Sequence, residues 1–303
     1  MLKKLTKTLL LTTSFSLLLF SCATTSAKPQ EEPKGQVIEI NYPTRDYTVT
    51  EDSLTSKDKY NKHAYVYLPA SYNAQDTDTK YPVVILMHGD GGDETTWTLN
   101  RSYSEIKNSL DEGMVSGEVK EFILVTPCGV SDKSCNSHLG YSKKAGVREF
   151  GKELRNDLLP YLRENFNILE GRENVAMAGL SMGAEQTMDI GIGQCLDLIS
   201  YFGAFSCTPF TVNFDYNSKY LEPAAYINQV ENTFPDETQS IKLLYMICGT
   251  TDSNFYPGFC VYVPAMSEWD RIEQFESDAI ENAGHEWRVW TKGFNQFTRY
   301  LFK

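Results

Sequence analysis

The chain has 303 residues, 41% of them hydrophobic and 22% charged, with 40 acidic against 28 basic residues and a formal net charge of −12. Nucleic acids and other anionic polymers are bound by clustered Lys and Arg, so this acidity, with no basic run to offset it, argues against such partners. The length admits two average domains, but α/β folds of about 200 to 250 residues are commonly single, and one domain with a large core is the expectation.

Lys3, Lys4 and Lys7 precede an apolar run from Leu9 to Phe20, the n-region and h-region of a secretory signal. The run falls short of the roughly 20 residues that span a bilayer comfortably. It closes with Leu19-Phe20-Ser21-Cys22, a small residue directly before a cysteine, which resembles a bacterial lipobox. Residues 1–21 therefore read as a lipoprotein signal peptide, with Cys22 the lipidated residue. The mature protein is then expected to be exported to the bacterial cell envelope and attached to the membrane through that lipid. A plain signal peptide or short anchor that happens to contain Cys22 is the alternative. Loss of residues 1–21 removes three lysines and takes the formal charge from −12 to −15.

Residues 22–35 are Thr, Ser, Lys, Pro, Gln and Glu without an apolar cluster, and such a stretch cannot bury enough surface to fold; it reads as a flexible tether. Residues 36–303 form the expected folded domain. Val37 to Val49 alternates weakly and Ala64-Tyr65-Val66-Tyr67-Leu68 more clearly, so the domain opens with antiparallel-type strands, with Glu51 to Lys62 a polar loop between them. Pro82 to Met87 is an unbroken apolar run, as a strand covered on both faces requires. Phe122 to Thr126 and Leu243 to Cys248 are two more. Val147, Phe150, Leu154, Leu158, Leu162 and Phe166 share one helical face, with Pro160 expected to kink that helix or end it early. Strands alternating with helices predict an α/β fold with a mostly parallel central sheet and helices on both faces.

Of seven cysteines, Cys22 is the proposed lipid site, which leaves Cys128, Cys135, Cys195, Cys207, Cys248 and Cys260. Their spacings fit no zinc pattern. Export permits disulfides, and Cys128 with Cys135 is the simplest pairing, although sequence does not fix connectivity. Free buried thiols are the other reading.

Asn174 to Ala178 is apolar enough for a short buried strand, and Gly179-Leu180-Ser181-Met182-Gly183 matches G-x-S-x-G ahead of a helical segment. This is the layout of a nucleophile elbow. Glycine flanks the serine because a Cβ there would strike the neighbouring strand and helix, and the turn holds Ser181 above the sheet. The following helix N-terminus and the Met182 N–H face the same spot. His88-Gly89-Asp90-Gly91-Gly92 follows one strand, Gly249-Thr250-Thr251-Asp252 another, and Gly284-His285-Glu286-Trp287 lies near the C-terminus. Ligands of open α/β sheets bind at such strand ends, and the order Ser, Asp, His is that of the α/β-hydrolases.

From about Gly35 to Phe302 the chain resembles the α/β-hydrolase esterases that include feruloyl and acetylxylan esterases, related to S-formylglutathione hydrolase and the mycolyltransferases. The matching blocks are Tyr65-Val66-Tyr67-Leu68-Pro69, Leu86 through Trp97, Leu154-Arg155-Asn156-Asp157-Leu158-Leu159-Pro160, Gly179 through Gly183, Gly249 through Asp252, and Gly284 through Trp287. The resemblance implies an α/β-hydrolase fold with Ser181 as nucleophile, Asp252 as acid and His285 as base. It also implies oxyanion donors on the backbone of Asp90 and Met182, with no metal and no organic cofactor. The implied activity is removal of feruloyl or acetyl groups from plant-type polysaccharide or oligosaccharide through an acyl-enzyme. Acyl transfer to a sugar and a non-catalytic glycan-binding surface lipoprotein are the alternatives.

Two features depart from the family pattern. Phe275 to Ile280, where the family carries a strand, is short and polar, and Asp90 stands where small or apolar residues are common. A second alignment sets His285 at a strand start with a deletion where the base would be; the ungapped run from His285 through Phe297 to Phe302 favours His285 as base. Asp252 as a helix N-cap is the rival to its role as acid. His88 reads as bracing its loop, and His63 and His138 as surface or satisfied polar residues. Trp97, Tyr141 and Trp287, with Trp290, lie near the predicted active-face loops as candidate stacking residues for sugar or phenolic rings, core packing being their alternative.

Overall fold

The computed structural model describes residues 33–99, 105–133, 145–209, 220–236 and 238–303. The signal segment, Cys22, most of the tether, Cys135, His138 and Tyr141 lie outside the described residues.

Strand β1 (Gln36–Arg45) pairs antiparallel with β2 (Lys59–Leu68), Gln36 opposite Leu68 and Arg45 opposite Lys59. On β1, Ile40, Tyr42 and Thr44 are buried while Glu39, Asn41 and Pro43 are exposed, the period-two pattern of a sheet with one wet face. Strand β2 continues antiparallel against β4 (Ile123–Pro127). From there the pairing is parallel through β3 (Val83–Met87), β5 (Val175–Leu180), β6 (Tyr201–Phe205), β7 (Leu243–Gly249) and β8 (Phe275–Ile280). The resulting order is β1-β2-β4-β3-β5-β6-β7-β8.

The central strands are apolar throughout because each face has its own core. Val83, Ile85 and Met87 of β3 and Val175 and Met177 of β5 pack into one cluster. Val84 and Leu86, with Ala176, Ala178 and Leu180, pack into the other. Phe150, Leu154, Met188, Tyr226 and Tyr262 bring four helical segments onto the first face. Ile106, Leu110, Val289, Phe294 and Phe297 bring the helices Glu105–Ser116 and Trp287–Tyr300 onto the second. The predicted sheet with helices on both faces is what forms.

Three details differ from expectation. The helix carrying Pro160 does not end there: a π-turn over Leu154–Leu158 passes directly into the α-helical Leu159–Asn165 with the proline in its first turn. Proline removes one i→i−4 donor, and the widened turn just upstream lets the chain run on. The polar loop starting at Glu51 stops at Asp58, since β2 already begins at Lys59. Lys62 belongs to that strand and is buried, its Nζ donating to both carboxylate oxygens of Glu153 and to the Val130 carbonyl, each at 2.8 Å. This ties the antiparallel edge to the loop after β4. Strand β6 was not singled out in the sequence. It is five residues long and includes Gly203 and Ala204, and Gly203 is needed because a Cβ there would come within 2.9 Å of the Ala178 Cβ on β5.

Candidate active site

Strand β5 ends at Leu180, and the helix Met182–Gln186 starts one residue later. Ser181 between them has φ 52° and ψ −118°, a conformation an L-residue with a Cβ adopts only when its surroundings enforce it. Its own N–H donates to the Phe205 carbonyl at 2.9 Å, and its carbonyl accepts from Ala184 and Glu185, so strand and helix both hold it. The flanking glycines act as expected. A Cβ on Gly179 would stand 2.6 Å from the Gly183 backbone, and one on Gly183 would stand 2.6 Å from the His88 carbonyl. The elbow therefore packs directly on the end of β3.

Two other strand-end loops meet Ser181. His285 Nε2 lies 2.9 Å from Ser181 Oγ, and His285 Nδ1 lies 2.7 Å from Asp252 Oδ2. An ionised carboxylate only accepts, so Nδ1 carries the proton and Nε2 is left to accept from the serine hydroxyl. Asp252 is 3% exposed, and its second oxygen, Oδ1, accepts the N–H groups of Asn254 and Phe255, each at 3.2 Å. Asp252 thus holds its own turn through one oxygen and meets His285 through the other, and the N-cap of the helix Tyr256–Ser267 is Phe255 instead. Strand β8, polar because it is an edge strand with one face partly in solvent, carries the chain to the turn before His285. The imidazole is clamped between Phe255, stacked at 4.8 Å, and Trp290, edge-on at 5.0 Å. Neither aromatic was singled out as a contact of His285, because the pairing depends on how two distant loops fold together.

The loop after β3 lies beside the serine: a Cβ on Gly89 would sit 3.3 Å from the Ser181 Cβ. Asp90, the next residue, and Met182, at the helix start, thus flank Ser181 in the chain segments that meet there. The Asp90 side chain is exposed. His88 is 1% exposed; the Gly129 N–H donates to its Nε2 at 2.8 Å, so Nδ1 bears the proton and donates to the Gly89 carbonyl at 2.7 Å. It braces the loops after β3 and β4, as its reading predicted. The Met182 side chain packs with Cys128, Val130 and Val147 beneath the elbow. Cys128 is disulfide-bonded, and its expected partner Cys135 lies outside the described residues.

The aromatic candidates divide. Trp97 is 2% exposed, donates Nε1–H to the Met87 carbonyl at 3.0 Å and packs against Phe205 and Phe294, so of its two readings it fits core packing and not the ligand platform. Trp290 is also buried, its Nε1–H donating to Ser206 Oγ at 3.1 Å. Trp287 is 46% exposed. His63 pairs with Glu39 on the far antiparallel edge, outside this cluster.

One buried carboxyl stands out. Glu185, in the first turn after the elbow, is 1% exposed and its Oε1 has no hydrogen-bond partner. Burial first, and then the Asp189 charge, push its pKa well above the ordinary range, with Arg148 opposing. Below the site, burial also raises the Cys248 thiol to about 12.

The Esterase family model, described as "Putative esterase", matches residues 59–301. Among curated proteins, the endo-1,4-beta-xylanase/feruloyl esterase of Xylanibacter ruminicola is 27% identical over 245 residues, covering 79% of this chain and 29% of that protein. The chain thus spans less than a third of that relative's length. Among solved structures, a serine-to-alanine mutant of the feruloyl esterase module from Clostridium thermocellum, complexed with sinapinate, aligns with a TM-score of 0.69 at 20% identity, over 91% of this chain and 90% of that one. The ferulic acid esterase of the anaerobic fungus Anaeromyces mucronatus aligns with a TM-score of 0.65 at 25% identity, over 91% and 94%.

Proposed function

The chain belongs to the esterase family, with the α/β-hydrolase fold of its feruloyl esterase type, and from that premise we propose that it is a serine carboxylic-ester hydrolase removing feruloyl or acetyl groups from plant-type polysaccharide. The observation that carries this reading is the continuous relay Ser181–His285–Asp252, with contacts of 2.9 and 2.7 Å, on a strained elbow.

A serine hydroxyl is a weak nucleophile until a base takes its proton. As the Oγ of Ser181 attacks the ester carbonyl, its proton moves to His285 Nε2. The Asp252 carboxylate holds the Nδ1–H and stabilises the imidazolium that forms. The tetrahedral oxyanion is received by the N–H groups of Met182 and Asp90, where loss of one such donor costs about 2.7 to 4 kcal/mol in other enzymes. Collapse breaks the ester C–O bond, and the proton on Nε2 passes to the departing sugar oxygen. Water then enters, gives its proton to His285, and attacks the acyl-Ser181 carbonyl; the acid leaves and Ser181 regains its hydrogen.

Feruloyl as the acyl group is supported by the relative named for feruloyl esters and by the sinapinate complex of one neighbour, and acetyl is carried by the family resemblance of the sequence alone. Residues 1–21 are read as the signal peptide, Cys22 as the lipid anchor, residues 22–35 as the tether and 36–303 as the catalytic domain. Cys22→Ala is expected to release the protein from the membrane fraction. The test of the activity is turnover of a chromogenic acetyl ester and of feruloylated xylan by the mature protein and by Ser181→Ala. The variant should be inactive with a thermal midpoint within a few degrees of the parent; wild-type turnover by the variant refutes the mechanism.

A further inference from the structure

Resting on the esterase reading above, we propose that the cleft along the outer face of the helix Trp287–Tyr300 is a sugar-chain subsite on the alcohol side of the scissile ester, with Trp287 as its stacking platform. That helix is amphipathic: Val289, Trp290, Phe294 and Phe297 are buried against the sheet, and Arg288, Lys292 and Arg299 are exposed. Trp287 breaks this pattern. Among the described residues it and Val115 are the large hydrophobic side chains left exposed, and aromatic side chains are enriched, and Lys and Glu depleted, at contact surfaces.

The indole is fixed before any ligand arrives. It meets Trp97 edge-on at 5.4 Å and 86°, and Trp290 at 5.3 Å and 80°. Both of those rings are buried and hydrogen-bonded through Nε1. A platform held in this way loses little side-chain freedom on binding. Trp290 in turn contacts the His285 ring at 5.0 Å, so the platform stands two ring contacts from the proposed base.

Hollows of about 660 and 290 Å³ adjoin at Trp287, Glu105 and Thr291. The larger runs on along the helix past Lys292, Asn295 and Gln296 to Arg299. The helix from Trp287 to Arg299, twelve rises of about 1.5 Å, covers about 18 Å, room for several linked sugars. The cations are largely balanced: Arg288 meets Glu286 at 3.1 Å and Arg299 meets Glu118 at 2.9 Å. An open, charge-balanced cleft with an aromatic face suits an uncharged glycan, which offers apolar C–H faces and a rim of hydroxyls. An acyl aromatic ring would call for an enclosed pocket. The cleft therefore takes the polysaccharide chain.

The test uses unesterified xylohexaose and xylobiose with the Ser181→Ala protein, by titration calorimetry and tryptophan fluorescence. Hexaose should bind, and more tightly than biose. Adding Trp287→Ala should weaken hexaose binding about tenfold, the scale of a good aromatic contact. Gln296→Ala, a change at a half-buried lining residue outside the tryptophan stack, should weaken hexaose binding more than biose binding. Failure of hexaose to bind, or binding indifferent to both substitutions, overturns the subsite. Hydrolysis of a small chromogenic ester by the parent reports the esterase reading separately, so the two failures are distinguishable.

Discussion

Gly249, the last residue of β7, lies directly against Ala283, two residues before His285: a Cβ on Gly249 would run into the Ala283 carbonyl, whose oxygen accepts the Thr251 N–H at 2.9 Å. The same two loops are joined by Asn282 N–H donating to Thr250 Oγ1 at 3.0 Å and by Thr250 N–H donating to the Ile280 carbonyl at 3.0 Å. Glycine at 249 is thus what lets the acid loop and the base loop touch, and the Asp252–His285 contact depends on that closeness.

Gly249→Ala is accordingly expected to force the loops apart. Overpacking of this kind costs about 1 to 3 kcal/mol of stability, and misplacing a catalytic group by about 1 Å costs on the order of a hundredfold in rate. The thermal midpoint and kcat for a chromogenic acetyl ester should both fall, kcat much further than the loss of folded protein explains. Unchanged kcat would show that the loop contact does not position His285.

A histidine scan separates the roles of three rings. His285→Ala should cost about six orders of magnitude in kcat, comparable with Ser181→Ala, because relay members act as a unit. His63→Ala should change kcat by less than about twofold, since its pair with Glu39 is exposed and remote. His88→Ala removes the brace between Gly89 and Gly129, so the midpoint should drop and kcat should fall moderately through the loop bearing the Asp90 N–H. A folded His285→Ala protein with near-parental kcat would exclude the relay.

Much of this architecture was legible in the residues because it rests on local chemistry. Unbroken apolar runs marked β3, β5 and β7, and glycines flanking Ser181 marked the elbow, where the structure leaves no room for a Cβ on either side. What escaped depends on distant segments meeting. Strand β6 is too short, and too rich in small residues, to announce itself. Strand β8 reads as polar since an edge strand has only partial cover, and the interior Lys62 looks like a loop residue until Glu153 is found beside it, ninety-one positions later. Trp97 and Trp287 have equal claims as ligand platforms in sequence, and only packing separates the 2% exposed ring from the 46% exposed one.

The cysteines give a chemical test of the same packing. Cys195, Cys207 and Cys248 are free and buried, while Cys260 is free and exposed. Burial pushes the Cys195 thiol up to about 11, the Cys248 thiol to about 12 and the Cys207 thiol well above its ordinary range, which suppresses the reactive thiolate. Among the described cysteines, alkylation of the native, unreduced protein near pH 8 should label Cys260 alone. Denaturation should add Cys195, Cys207 and Cys248, and reduction should be needed before Cys128 reacts. Peptide mass mapping reads each step, and labelling of Cys128 without reductant would contradict its disulfide.

Glu185 sets an expectation for stability against pH. Its N–H donates to the Ser181 carbonyl at 3.1 Å, one turn after the nucleophile, at a helix start where a negative charge is normally welcome. Burial outweighs that preference, and with the Asp189 charge it raises the carboxyl well above its ordinary pKa, so the folded state favours the neutral acid. In the unfolded chain the same group ionises at its ordinary value. Folding therefore takes up a proton here, and the stability linked to it is fully present below the unfolded pKa and is lost as pH rises through the folded one. Glu185→Gln, close in shape and never ionised, should match the parent midpoint at acid pH and exceed it by a few degrees at pH 8 to 9. The measurement is the thermal midpoint of both proteins from pH 4 to 9. Two curves that stay parallel across that range would mean that Glu185 carries no proton linked to folding, and that the acid and the amide are held alike beneath the elbow.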